Sequence, residues 1–124
     1  MANCTGVGRD WATALTDVAT LNSTGGMGAT ADCGDHFTSA SGHHTDWRLP
    51  NLRELLSLID YNAANPAFPS GTPFLNVQSN RYWSSTTVAN NTPNAWDIDF
   101  SIGTVNRNQP KTNLYYVWPV RGGQ

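Results

Sequence analysis

Charge is scarce in this 124-residue chain. Asp, Glu, Lys and Arg make up 13% of it, about half the ~25% of an average soluble protein. Seven basic residues stand against nine acidic ones, for a net charge of −2; a nucleic-acid partner held by a basic surface is therefore not expected. No run approaches the ~20 apolar residues of a spanning helix, so no membrane insertion is expected either. Cysteine is limited to Cys4 and Cys33 with no CxxC pair, which excludes a zinc site built from cysteine alone. Met1 leads into Ala2-Asn3-Cys4 without the basic and apolar regions of a signal peptide. What the chain does have is 11 Gly, 7 Pro, abundant Asn, Ser and Thr, and 10% aromatic residues, too many rings for a disordered polymer. The length suits a single domain over 1–124.

Low charge with much Asn and Thr suggests an extracellular or cell-surface protein, whose leader would have been trimmed from this chain. In that setting Cys4 and Cys33 would form a disulfide closing a loop of ~30 residues, worth roughly 3–4 kcal/mol in the chain-entropy picture. Two buried thiols in a cytosolic protein are the alternative.

Two amphipathic helices are predicted. Trp11, Ala14, Leu15 and Val18 recur at i, i+3, i+4 and i+7 after Asp10, a good N-cap, and Ser23-Thr24-Gly25-Gly26 stops the helix. Residues 23–46 read as a long surface loop. After Pro50, Asn51 and Glu54 have capping-box spacing, and Leu52, Leu55, Leu56 and Ile59 share a face; this helix should end near Asp60-Tyr61. Pro66, Pro69 and Pro73 then mark an irregular loop pinned by Phe68 and Phe74. Beyond residue 80 the period becomes two. Tyr82-Trp83 opens a strand, and in Trp96-Asp97-Ile98-Asp99-Phe100 bulky residues alternate with carboxylates, as in a strand with one buried face. Ser101-Ile102-Gly103 turns the chain back into Thr104–Arg107. Leu114–Val120 reads as a last strand with an edge or bulge at Pro119. Helices followed by an antiparallel sheet make an α+β fold.

Four motifs then stand in order: Asp46-Trp47-Arg48-Leu49-Pro50-Asn51 with Arg53-Glu54-Leu55; Tyr82-Trp83-Ser84-Ser85-Thr86-Thr87; Ala95-Trp96; and Tyr116-Val117-Trp118-Pro119-Val120-Arg121-Gly122-Gly123. From about Asp10 to Gly123 the chain resembles the C-terminal domain family of the Legionella collagen-like protein. The strand motifs are also similar to those of retroelement-diversified variable proteins. The resemblance implies a C-type-lectin-like fold with two helices on a small twisted antiparallel sheet and long loops. Trp47, Leu49, Trp83, Trp96 and Val120 would then be core. Arg48, Glu54 and Arg121 would form a carboxylate–guanidinium brace, for which the planar fork of Arg is suited; a share in a ligand pocket is the alternative.

Catalysis is not expected. The Arg-Leu-Pro motif also resembles formylglycine-generating enzymes, but those carry a cysteine pair in the C-terminal half, and residues 34–124 here contain none. His36, His43 and His44 lie in a polar loop, and adjacent histidines rarely aim both rings at one ion. No nucleophile with an activating base is apparent, and Gly25-Gly26-Met27-Gly28 follows a helix where a nucleotide loop follows a strand. No cofactor is expected. Calcium needs six to eight converging oxygens. Asp97 and Asp99, about 6.5–7 Å apart along a strand, would need more from Asn91 or Asn94. Thr92-Pro93-Asn94 only approaches the Glu-Pro-Asn and Gln-Pro-Asp triplets of calcium-dependent lectins, so calcium is not favoured.

What remains is a surface. With Trp96, Ile98 and Phe100 inward, Asp97, Asp99 and Ser101 point outward; across the turn Thr104, Asn106 and Asn108 join them while Val105 points in. Arg107 can swing to either side. Asn113 and Tyr115 open the last strand, and Asn90-Asn91 lie in the preceding loop. Amides and carboxylates suit polyhydroxyl ligands, and Tyr adds contact area at low entropic cost. These eleven residues are the expected ligand-binding set of a non-enzymatic binding or adhesion module. The Legionella relative is associated with sulfated glycosaminoglycans, but the charge balance here favours a neutral glycan or a protein. The alternatives are a variable receptor-binding protein of a retroelement system and a trimerising cap on a surface fibre, the latter a homo-oligomer.

Overall fold

The computed structural model describes residues 7–27, 44–72, 74 and 77–122. Cys4, Cys33, His36 and His43, and with them the expected disulfide, lie outside the described residues. The elements in chain order are α1 (Trp11–Thr24), β1 (Trp47–Arg48), α2 (Leu52–Leu56), β2 (Arg81–Thr87), β3 (Asn94–Asp99), β4 (Thr104–Pro110) and β5 (Val120–Arg121). The fold is mixed α and β, with two small antiparallel sheets ordered β1-β5 and β2-β3-β4.

Asp10 caps α1 as expected: its backbone is extended and its carboxylate accepts the Thr13 N–H at 2.7 Å. Gly25, at φ 75°, closes the helix in the left-handed conformation that a side chain disfavours, and its N–H reaches the Leu21 carbonyl. The buried stripe runs through Ala14, Asp17, Val18 and Leu21. Leu15 falls on its flank and is 40% exposed, contrary to expectation. Asp17 holds a buried position because Arg9 Nε lies 2.9 Å from its carboxylate.

The capping box forms: Asn51 Oδ1 accepts the Glu54 N–H at 2.9 Å, and Glu54 Oε2 accepts the Asn51 N–H at 2.7 Å. The helix nevertheless stops at Leu56, four residues before Asp60. Leu58 and Ile59 donate three residues back, to Leu55 and Leu56, and Asp60 N–H turns away to the Ala67 carbonyl. The tightened spacing ends the α-helix while Leu58 and Ile59 still pack on the core.

The expected last strand is divided. Tyr115 bridges to Arg9, Tyr116 bridges to Tyr82, and only Val120–Arg121 forms a strand, paired with β1 rather than with the larger sheet. Pro119 lacks the N–H that a continuous ladder needs. Val117 and Trp118 belong to different core clusters, so the segment passes between two cores.

The register explains why there are two. Arg81 faces Asp99, Tyr82 faces Ile98 and Trp83 faces Asp97; across β4, Asp99 faces Thr104, Ile98 faces Val105 and Asp97 faces Asn106. Directly opposed residues share a sheet face. One face presents Tyr82 and Ile98 to a cluster with Leu55, Phe68, Phe100 and Trp118. The other presents Trp83 and Ala95 to a cluster with Ala14, Val18, Leu21, Met27, Leu49 and Val117. The central strand β3 is thus covered on both sides, and its Asp97 is fully buried. Alternation alone does not distinguish this from a half-solvated strand. Outward-pointing Asp97 is therefore corrected. Val105 lies on the Ile98 side as expected, but on the outermost strand it remains 39% exposed.

Both neighbours bulge opposite Trp96. Between Asp97 and Ala95, β2 passes three residues (Ser84, Ser85, Thr86) and β4 passes two (Arg107, Asn108). The β2 bulge frees backbone groups for other partners: Ser85 N–H bonds the Pro50 carbonyl at 2.8 Å, and the Ser84 carbonyl accepts Trp11 Nε1 at 2.9 Å. The Asp-Trp-Arg-Leu-Pro segment is docked this way. Of its expected core, Leu49 and Trp83 are buried, while Trp47, Trp96 and Val120 are half-buried.

Candidate ligand-binding face

The Asp97 side of the sheet carries a polar cluster where the buried core meets solvent. Arg81 on β2 reaches both carboxylates, with Nε 3.4 Å from Asp99 Oδ2 and a terminal nitrogen 4.0 Å from Asp97 Oδ2. Asn106 donates to Asp97 Oδ2 at 3.3 Å, and Asp97 Oδ1, although buried, has no hydrogen-bond partner. Burial pushes the Asp97 carboxyl up to about 6; Arg81 and then Asn106 oppose the shift, and neighbouring Asp99 adds to it. Asp99 Oδ1 accepts the Ser101 N–H at 2.9 Å and its hydroxyl at 2.5 Å, which shapes the β3–β4 turn. That turn ends at Gly103, at φ 71°. A Cβ there would lie 3.1 Å from Ile59 and 3.3 Å from Ala67, so a side chain would be both strained and crowded.

Tyr115 roofs the cluster. Its ring lies 4.5 Å from that of Trp83, centroid to centroid, and the Arg81 guanidinium stands 5.6 Å from its centre. The Tyr115 hydroxyl donates to Gln109 Oε1 at 2.7 Å and accepts from Asn113 Nδ2 at 2.9 Å and Arg81 at 3.3 Å. Asn113 also donates to Gln109 Oε1 at 3.2 Å. Each group orients the next, leaving little rotamer freedom to lose on contact with a ligand.

Of the expected set, Asp97, Asp99, Asn106, Asn113 and Tyr115 are therefore brought together. Thr104 is exposed opposite Asp99. Arg107 and Asn108 are exposed in the β4 bulge, which interrupts the alternation that had placed Asn108 beside Asn106. Ser101 serves the turn. Asn90 and Asn91 are exposed in the β2–β3 connection, where Asn91 N–H bonds the Val88 carbonyl. Two members were missed. Arg81 precedes Tyr82 by one residue, so placing Tyr82 inward already puts Arg81 on the carboxylate face. Gln109 reaches this face only because the bulge shifts it opposite Ala95, and no local pattern announces that.

The brace is a separate structure. Arg48 holds Glu54 with two hydrogen bonds, at 2.8 and 2.5 Å, and also donates to the Gly122 carbonyl, linking β1, α2 and the residue after β5. The Arg48 hydrogen bonds hold Glu54 below the usual carboxylate range; burial opposes this and the Asn51 N–H adds to it. Arg121 takes no part. It pairs with Asp46 at 2.8 Å and lies over the Trp47 ring at 5.7 Å. A cleft of about 380 Å³ beside it is lined by Trp47, Phe74, Trp118 and Val120 among others.

Among the described residues, no group of three His, Cys, Asp or Glu side chains could hold a metal ion. The buried Ser84 hydroxyl donates to the Trp96 carbonyl at 2.7 Å, and His44 stands edge-on to Trp47 with centroids 6.4 Å apart. No described helix is long and apolar enough to cross a membrane.

A family model described as the Lcl C-terminal domain matches residues 1–121. No curated protein and no solved structure matches the chain. The family match covers all four motifs except the last two glycines, and with it the brace, the bulged strand and the polar face: the chain belongs to the Lcl C-terminal domain family.

Proposed function

We propose that this chain is a non-enzymatic binding or adhesion module of a bacterial surface protein, acting outside the cell with a C-type-lectin-like arrangement. It grips a neutral glycan or a protein through the Arg81–Gln109–Asn113–Tyr115 face, without a cofactor. The observation that carries this reading is the Tyr115 hydroxyl network, in which an amide, a second amide and a guanidinium are fixed on one rigid ring. Prearranged amides with an aromatic edge suit hydroxyl-rich or peptide ligands and reduce the entropic cost of binding. Local charge weighs against a sulfated polyanion, since Arg81 faces two carboxylates.

A glycan array, together with pull-downs at two salt concentrations, tests the proposal. Binding that survives added salt and is lost in Gln109→Ala, with folding intact, is the expected result. Tight heparin binding that collapses with salt would contradict it.

A further inference from the structure

Asp97 joins three strands. It sits on β3, its Oδ2 receives Asn106 from β4, and it lies 4.0 Å from Arg81 on β2. It is fully buried, and its second oxygen is unpartnered. A buried carboxylate with an empty acceptor is costly to keep charged and easy to protonate. The charged groups facing it are few: Arg81 from β2 and Asp99 from β3. From β4 comes only the neutral Asn106, with Arg107 exposed in the bulge; from the C-terminal segment comes the Tyr115 phenol. Arg9 and Asp17, on the α1 side, are paired with each other.

We propose that Asp97 is a proton-operated control of the binding face. Ionised, it shares the Arg81 guanidinium with Asp99 and leaves the trio with one net negative charge. Protonated, it gives up Arg81 to Asp99 and the Tyr115 hydroxyl, and the trio becomes neutral. The face is then more receptive to anionic groups in mildly acidic surroundings than at neutral pH. This inference rests on reading the face as the ligand surface, and it concerns how that surface is regulated. The burial-driven rise of the Asp97 pKa to about 6 places the change in that range.

The test needs no ligand. Carboxyl ¹³C NMR of the wild-type chain follows Asp97, while the Arg81 Nε–Hε signal is recorded across the same pH series. The expected result is an Asp97 midpoint near 6, with Arg81 moving in step. In Asp97→Asn the Arg81 signal should stay at its acid-form position throughout. An Asp97 midpoint below about 4.5, close to an ordinary carboxylate, overturns the proposal, as does an Arg81 signal that titrates identically in Asp97→Asn. If that variant does not fold, the wild-type pair of titrations decides alone. A face that binds nothing on an array would defeat the proposed function while leaving this titration to stand or fall by itself.

Discussion

The two faces of the β2-β3-β4 sheet are built on opposite principles. On one, Phe68, Tyr82, Phe100 and Trp118 meet with ring centroids 5.4–6.2 Å apart around Ile98 and Leu55. The Tyr82 hydroxyl there accepts the Gln78 N–H, and burial raises its pKa to about 12, so it stays neutral. On the other, Trp83 and Ala95 join an aliphatic cluster on α1, but the rim is a chain of hydrogen bonds around a buried carboxylate. Dispersion and hydrophobic burial hold the first face. The second places polar groups at the solvent boundary and keeps one of them charged at a cost. Stability resides in the aromatic face, and the polar one is the face for which we propose recognition.

The largest expected effect tests the first half of that contrast. Trp118→Ala empties the centre of the aromatic cluster and should destabilise the fold by about 3–5 kcal/mol, read from urea denaturation. A loss below about 1 kcal/mol would remove the distinction between the faces.

Next comes Asp97→Asn, with the opposite sign. A folded-state pKa near 6 exceeds the ordinary value of 3.8, so Asp97 favours folding when protonated. That contribution is fully present below about 3.8 and is lost as pH rises through about 6. Removing the buried charge should stabilise the domain by roughly 1–3 kcal/mol at pH 7. It should also flatten the rise in stability that the wild type shows as pH falls toward 4. Destabilisation by this variant at pH 7 would mean that the Arg81 attraction outweighs burial.

Glu54→Ala removes both the brace and half of the capping box, and should cost about 1–2 kcal/mol. Because the Glu54 pKa is lowered, its contribution is present above its ordinary value of 4.5 and fades as pH falls through the lowered one. Its loss on acidification therefore begins only below about 4.5, where the gain from Asp97 is nearly complete. The smallest effect belongs to Arg121→Ala. Its partner Asp46 is exposed, and an exposed ion pair adds little, so the denaturation midpoint should not move resolvably.

Features set by neighbours in sequence were legible before the structure. Asp10 and the Asn51–Glu54 box act on backbone groups three residues away, and the Arg48–Glu54 brace spans six. Strand alternation also put Asp99 and Asn106 on one face with Tyr115 nearby, and Arg81 joins Asp99 to the Tyr115 hydroxyl. Features set by coverage were not legible. Whether Asp97 faces water depends on what packs against its side of the sheet, and residues 81 and 97 meet only through the register. The β4 bulge opposite Trp96 shifts Gln109 into the cluster and leaves Asn108 outside it. Leu114–Val120 has strand composition, but it is divided between two cores and a second small sheet. Helix α2 looked longer because Leu58 and Ile59 keep the apolar rhythm after the hydrogen bonds have tightened.

The division of labour between the faces is tested most directly by the double variant Gln109→Ala with Tyr115→Phe, compared with the wild type on a glycan array and by urea denaturation in parallel. Binding should fall at least about tenfold, the loss of roughly 1.4 kcal/mol, while the unfolding midpoint shifts far less than in Trp118→Ala. Undiminished binding by a folded double variant would contradict the account.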